Sequence, residues 1–356
     1  MATLPKFMKA LVKESPTESY LYKDVPVPQP SKDELLVKVK KVALCGTDIQ
    51  KYKWNYVAKV VAEIPFTPGH EMVGEIVSVG KDVPCEYALG KRVCVENHFY
   101  CGKCYQCTHD LKHICQNLDQ FGYGKGTKHG GCSEYTIIPA KFAYLLQTDI
   151  DDAQAAILEP CGVAHQAVES IEPDGEDVLV LGCGPVGLLA VGIAKALGAS
   201  KVYACDMFPE KLQLAKEVGA DVLINNATDD LNSTIMEKTG GNGIGRIIEA
   251  TGSTELAGSC FKYLRKGGQI CFVGLIKGAL DIENPLVNVV FKSLVLKTVH
   301  GRRIFEDWEK SEQLIHKKMI NTKPIITHEF PMSQFEEAFE TLLCGKGCKV
   351  LISPRS

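Results

Sequence analysis

The chain has 356 residues, is 45% hydrophobic, and sets 40 lysine and arginine residues against 43 aspartate and glutamate residues for a formal net charge of −3. That length corresponds to about two domains, each able to bury its own core. There is no basic block to suggest nucleic acid and no acidic tail to suggest disorder. No apolar run is long enough to span a bilayer, so no membrane partner is expected. Residues 1–15 include Lys6 and Lys9 but no apolar signal core, so no secretory leader is expected. Fifteen cysteines in a chain of this length fit a reducing compartment better than a disulfide scaffold, which points to the cytosol.

The first part of the chain reads as β-rich. Residues 35–42 form a strand-like run after a turn-prone stretch at 26–33, followed by further strands at 72–80 and 90–95. The middle changes character. Residues 177–181 are a short apolar run of the kind buried on both faces of a parallel sheet. A glycine-rich turn follows, then a helix over 188–197, a strand over 201–205, a helix over 210–218 and a strand over 222–224. Strand-like runs at 246–249, 269–273 and 294–297 continue the alternation, which indicates an α/β doubly wound parallel sheet. Beyond 297 the pattern loosens, and 335–343 reads as a late helix. The expected organisation is a β-rich domain, residues 1–155 and 298–356, interrupted by a Rossmann-type domain at 156–297.

Three motifs carry chemistry. Cys101, Cys104, Cys107 and Cys115 are spaced C-x2-C-x2-C-x7-C, as four thiolates enclosing one tetrahedral zinc ion with no open position. Gly182, Gly184 and Gly187, with Pro185 and Val186 between them, follow an apolar strand and open a helix. That context lets a dinucleotide pyrophosphate approach backbone N–H groups at the helix start. Asp206 lies 19 residues past Gly187 at the end of the next strand, placed to accept from ribose hydroxyls and to repel a 2′-phosphate. NAD is therefore favoured over NADP. Finally, Cys45, His70 and Glu159 offer a thiolate, an imidazole and a carboxylate from separate loops, the ingredients of an open three-ligand zinc site.

These features together resemble a zinc-dependent medium-chain dehydrogenase over nearly the whole chain. The resemblance rests on C-G-T-D at Cys45, G-H-E at Gly69, the four-cysteine lobe, G-G-C-S-E-Y at Gly130, E-P at Glu159 and the glycine turn. Within that family the chain is most similar to L-threonine 3-dehydrogenases, through Tyr52-Lys53-Trp54-Asn55, Glu96-Asn97-His98, the stretch 300–308 and the stretch 324–328. The resemblance implies a GroES-like catalytic domain, one catalytic and one structural zinc per chain, and a homotetramer or homodimer. It implies that Cys45, His70 and Glu159 are ligands, with Glu71 an alternating ligand or close neighbour. Asp48 would hydrogen-bond His70, Thr47 would hold the substrate oxygen and begin a proton relay, and His98 would lie near the substrate. Lys211 and Lys349 would contact the cofactor's ribose and pyrophosphate.

The expected reaction is transfer of hydride from a small secondary alcohol to NAD⁺, with L-threonine as the leading substrate. A polyol or diol is the alternative, and an NAD-binding protein without activity is the reading from another class. Two positions depart from the pattern. Gln50 stands where many relatives carry a relay histidine, and Val163 stands where threonine dehydrogenases carry an amide.

Overall fold

The computed structural model describes residues 4–355 and divides into two compact units. The first comprises Met1–Glu159, Arg303–Glu312 and Ile326–Ser356. Its main sheet orders Ile326–Pro331, Lys349–Ser353, Glu34–Ala43, Glu71–Val79, Arg92–Val95 and Ala143–Leu145, with Tyr135–Pro139 also on Glu34–Ala43. Glu34–Ala43 organises this sheet. One edge pairs along Glu71–Val79, while the other is shared between Tyr135–Pro139 at its start and Lys349–Ser353 at its end. The alternating apolar residues Leu35, Val37 and Val39 enter one core with Met72, Ile76, Val93 and Val95. Phe335, Ala338 and Phe339 close that core from helix Phe335–Leu343, at the i, i+3, i+4 spacing of a helix face.

A buried carboxylate ties a late segment into this unit. Glu312 is fully buried. It accepts from the Tyr144 hydroxyl at 2.6 Å, the Gln147 and Thr148 N–H groups at 2.9 and 2.7 Å, and the Thr148 hydroxyl at 2.6 Å. A carboxylate can be buried without destabilising the fold only when its oxygens are saturated in this way. On the same helix, Trp308 packs against Tyr144 with ring centroids 5.3 Å apart and donates its indole N–H to Glu96 at 2.9 Å.

The second unit comprises Pro160–Arg302 and Gln313–Ile325. Its six strands run in the order Val222–Asn225, Lys201–Asp206, Asp177–Leu181, Ile244–Glu249, Leu264–Phe272 and Val295–Thr298, all parallel. Strand order therefore reverses on the two sides of Asp177–Leu181, which creates a topological switch point at the carboxyl ends of the strands. Val178, Leu179, Val180 and Leu181 are all inaccessible, as a strand covered on both faces requires.

The strands and helices read from the sequence between 177 and 297 each overlap an observed one, four of them running one residue past one of its ends. The division of the chain differs from expectation in three places, one being that residues 298–302 stay with the second unit. The first crossing falls after Glu159, because helix Leu158–Ser170 runs on into the second unit. Gln313–Ile325 also packs with the second unit and not with the β-rich one. Ile320 lies against Gly192, and Asn321 donates to the Glu217 carbonyl at 3.4 Å. Loose periodicity after residue 297 gave no sign of that return.

Glu312→Leu should lower the stability of the first unit by about 3 kcal/mol, because four donors, the buried Tyr144 hydroxyl among them, lose their acceptor. Chemical denaturation followed by tyrosine and tryptophan fluorescence measures this; an unchanged midpoint would contradict the anchoring role.

Candidate active site

Cys45 caps helix Gly46–Lys53, with its N–H donating to Asp48 Oδ2 at 3.0 Å. Asp48 sits in the first turn of that helix, where a carboxylate also meets the favourable end of the helix dipole. His70 immediately precedes strand Glu71–Val79, so the sheet fixes the imidazole and the Glu71 carboxylate beside the helix. Ligand atoms of Cys45, His70 and Glu71 all lie within 4.8 Å of one another. His70 and Glu71 are buried, and Cys45 is half-buried. A thiolate, an imidazole and a carboxylate gathered this closely suit a borderline-soft divalent ion such as zinc.

Glu159, expected as the third ligand, does not fall within that 4.8 Å group among the described residues. It is buried and acts on Glu71, Lys349 and Tyr123 through its charge. Glu71 takes the closer position. Burial pushes its carboxyl up, Lys349 opposes this, and the Glu159 charge adds to the rise.

Lys349 and Asp48 each have an additional charged neighbour in the structure. Lys349, expected to contact the cofactor, is buried, with its ammonium 2.6 Å from Glu71 Oε1 and 3.1 Å from the Leu44 carbonyl. Its charge is committed to the carboxylate beside the metal cluster, because two opposite charges buried together must pair. Asp48 was expected to hydrogen-bond His70, yet Asp48 Oδ1 and His70 Nδ1 stand 3.7 Å apart, an ion-pair distance that is too long for a hydrogen bond. Lys51 has taken the near position, with its ammonium 2.9 Å from Asp48 Oδ1. Burial would raise the Asp48 carboxyl, but Lys51 and His70 together hold it well below the usual range. Burial would likewise lower the His70 imidazolium, but Asp48 and Cys45 outweigh that and hold it up to about 10.

Thr47 lies one residue into the same helix, and its hydroxyl is 2.9 Å from the Tyr123 hydroxyl. Tyr123 packs against His70 with ring centroids 5.2 Å apart, and burial pushes its phenol well above the usual value. Tyr123 and Lys51 escaped the sequence reading. The available signal was the glycine context Gly122-Tyr123-Gly124, which marks a close backbone approach. His98 is buried, and Glu96 accepts from its backbone N–H at 2.9 Å and lies 2.8 Å from its ring Nδ1. It lies outside the three-ligand cluster. Arg302 is buried against Gly162, and Arg303 pairs with Glu306 and Asp307 at the start of helix Glu306–His316.

Cys101, Cys104, Cys107 and Cys115 form a second cluster within the same 4.8 Å limit. The Cys104 and Cys107 sulfurs are 3.5 Å apart, and those of Cys104 and Cys115 are 3.7 Å apart. Tetrahedral zinc with Zn–S bonds of about 2.3 Å demands sulfurs about 3.8 Å apart, so the cluster has the right size. Backbone N–H groups of Cys101 and Asn117 each point at the Cys115 sulfur at 3.3 Å. N–H groups of Lys103 and Cys104 bring the Cys101 thiol down to about 6, which favours the thiolate that a metal requires.

The second unit holds a pocket of about 700 Å³ at its strand ends, lined among others by Gly182, Gly184, Asp206, Lys211, Asn226 and Thr251. The three glycines divide the work. Gly182 has φ +91° beside Thr251, a side chain at Gly187 would strike the Gly182 carbonyl, and the space above Gly184 is open for a ligand. Pro185 and Val186 form the first turn of helix Pro185–Ala196 and do not line the pocket. Asp206 is fixed by accepting from the Cys183 and Phe208 N–H groups at 2.8 and 3.1 Å. Asn226 and Thr251 also escaped the sequence reading, although both follow strands that end at the switch point.

Residues 31–148 match the alcohol dehydrogenase GroES-like domain and residues 185–317 match the zinc-binding dehydrogenase family, together more than half of the chain. An L-threonine 3-dehydrogenase from Coxiella burnetii is 39% identical over 348 residues, covering 97% of this chain and 99% of that one. Among solved structures, 2R,3R-butanediol dehydrogenase from Bacillus subtilis superposes with a TM-score of 0.87 at 27% identity, covering 98% of this chain and 100% of that one. A short chain alcohol dehydrogenase from Escherichia coli CFT073 in complex with NADH gives a TM-score of 0.87 at 28% identity, with coverage of 98% and 100%. This chain belongs to the zinc-binding dehydrogenases, enzymes with a GroES-like and a Rossmann-type domain that oxidise alcohols with zinc and a nicotinamide cofactor.

Proposed function

We propose that the protein is an L-threonine 3-dehydrogenase using NAD⁺. The observation that carries this reading is the 39% identity to the Coxiella enzyme over almost the full length of both chains. Cys45, His70 and a carboxylate, Glu71 or Glu159, are the proposed catalytic ligands, and the four-cysteine cluster is the proposed structural site. Zinc held at the first of these lowers the pKa of an alcohol that binds it. The Thr47 hydroxyl would orient the substrate oxygen and relay its proton, taking it up as it gives its own proton on toward solvent. A nicotinamide held by the second unit would accept the carbinol hydride, so that alcohol and NAD⁺ would give a ketone, NADH and a proton. With L-threonine the ketone is 2-amino-3-ketobutyrate. His98 keeps its proposed place near the substrate, held in one orientation by Glu96.

Glycine residues 182, 184 and 187 are proposed to admit the pyrophosphate, and Lys211 and Asp206 to meet the ribose. Asp206 disfavours a 2′-phosphate, which supports NAD⁺ over NADP⁺. Fifteen cysteines in a chain of 356 residues, four of them in metal-like spacing, support a cytosolic setting. The outer strand Val295–Thr298 has one sheet neighbour, and Val295 and Leu296 are about two-fifths exposed, which supports pairing with a second copy in a homodimer or homotetramer. Light scattering should give a mass of two or four chains; a monomer at micromolar concentration would contradict this.

Val163, where an amide was expected, favours the second reading, an NAD-dependent polyol or diol dehydrogenase, as does the likeness to butanediol dehydrogenase. Following NADH at 340 nm with L-threonine, sorbitol, xylitol, galactitol and 2,3-butanediol separates the two. The account expects kcat/KM for L-threonine to exceed the others by at least about tenfold, with NAD⁺ preferred over NADP⁺ and Cys45→Ser inactive. Turnover of a polyol or diol without L-threonine would replace the leading reading by the second.

A further inference from the structure

Thr47 needs a fixed hydroxyl rotor to present its oxygen to a reacting alcohol, and the residue that fixes it is not the one its own helix offers. Gln50, one turn further along, has its carbonyl oxygen taken by the Asn55 amide. Asn55 in turn caps helix Tyr56–Val61, accepting from the Val57 and Ala58 N–H groups at 3.0 and 3.3 Å. Gln50 thus belongs to a helix cap, and its amide cannot titrate.

Tyr123 reaches Thr47 from a different loop. Its hydroxyl is 2.9 Å from Thr47 Oγ1, and the ring is 5% exposed. The loop has little freedom: the Tyr123 carbonyl accepts from the Glu63 N–H at 2.9 Å, and the ring packs in a small cluster with Ala62 and Phe66. Beneath the ring lies the Lys51 ammonium, 3.6 Å from the centroid. Lys51 is completely inaccessible and is tied to Asp48 Oδ1 at 2.9 Å and to the Gly122 carbonyl at 2.8 Å. One buried cation therefore braces the carboxylate beside His70, the backbone of the tyrosine loop and the face of the tyrosine ring. A lysine is costly to bury, and this one is placed where each of its contacts bears on the cluster around Cys45.

We infer that Tyr123 is a positioning residue for the alcohol-oxidising reaction, donating a hydrogen bond to Thr47 so that the threonine proton and remaining lone pair face the substrate oxygen, and that Lys51 holds Tyr123 in place. A threonine hydroxyl has one proton and two lone pairs. When the phenol donates to one lone pair, the rotor is fixed and the rest of the hydroxyl is free for the substrate. A tyrosine hydroxyl can donate as well as accept, so it can supply the proton of this bond. Lys51 acts at one remove, through the ring and through Asp48.

This inference rests on the alcohol-dehydrogenase reading given above. The test is a double-mutant cycle on zinc-loaded protein: wild type, Tyr123→Phe, Thr47→Ala and the double variant, with NAD⁺ and either L-threonine or 2,3-butanediol. Tyr123→Phe removes only the hydroxyl and keeps the ring over Lys51. Its kcat should fall about tenfold, the worth of one well-placed hydrogen bond, with zinc content and the KM for NAD⁺ unchanged. In the Thr47→Ala background the same change should have no further effect. Lys51→Met should reproduce the loss where it folds, and Tyr123→Phe carries the test where it does not. Wild-type kcat in Tyr123→Phe, or an equal loss with and without Thr47, would overturn the inference while leaving the function intact. A wild-type protein that turns over neither alcohol would overturn the function and this inference together.

Discussion

The first unit is organised by the rule that a charge cannot be buried alone. Asp48, Lys51, Glu71 and Lys349 are all inaccessible or nearly so, and all lie around the Cys45–His70 pair. Each carboxylate has its own ammonium, and each ammonium also takes a backbone carbonyl, Gly122 for Lys51 and Leu44 for Lys349. Stripping one partner from such a pair leaves a bare charge in a low-dielectric interior, which typically destabilises by about 3–5 kcal/mol. The second pair joins distant parts of the chain, Lys349 being 278 residues from Glu71, so it also binds the C-terminal strand to the sheet that carries the ligands. Metal chemistry and tertiary structure share the same contacts.

The same rule accounts for what could and could not be read from the sequence. Cysteine spacing revealed the four-sulfur cluster because the ligands are local and their geometry is set by a short loop. The apolar run at 177–181 and the glycine turn were legible for the same reason: strand, turn and helix follow one another within a few residues. Lys51 was illegible because a lysine on a short helix reads as a solvated side chain, and only its tertiary neighbours make it a buried brace. Tyr123 sits in a glycine-rich loop with no period of its own, and its partner Thr47 is 76 residues away. Lys349 was assigned from resemblance to the cofactor, and the structure gives its charge to Glu71. Gln313–Ile325 was assigned to the wrong unit because its anchors, Gly192 and Glu217, belong to helices far from it in the chain.

The second unit follows a different logic, one of backbone and not of charge. Parallel strands buried on both faces leave their carboxyl ends as the place where polar groups can meet a ligand, and the reversal of strand order opens the crevice there. Gly182, Gly184 and Asp206 were predictable from sequence because each belongs to the fingerprint. Asn226 and Thr251 enter the pocket only because Val222–Asn225 lies beside Lys201–Asp206 and Ile244–Glu249 beside Asp177–Leu181, which is a fact of topology.

The central claim is that Cys45, His70 and a neighbouring carboxylate hold a zinc ion distinct from the one in the cysteine lobe. Anomalous scattering at the zinc edge from crystals of the purified protein tests it most directly. The account predicts two peaks per chain, one among Cys101, Cys104, Cys107 and Cys115 and one between Cys45 and His70. A peak in the lobe alone, from protein supplied with excess zinc, would contradict it.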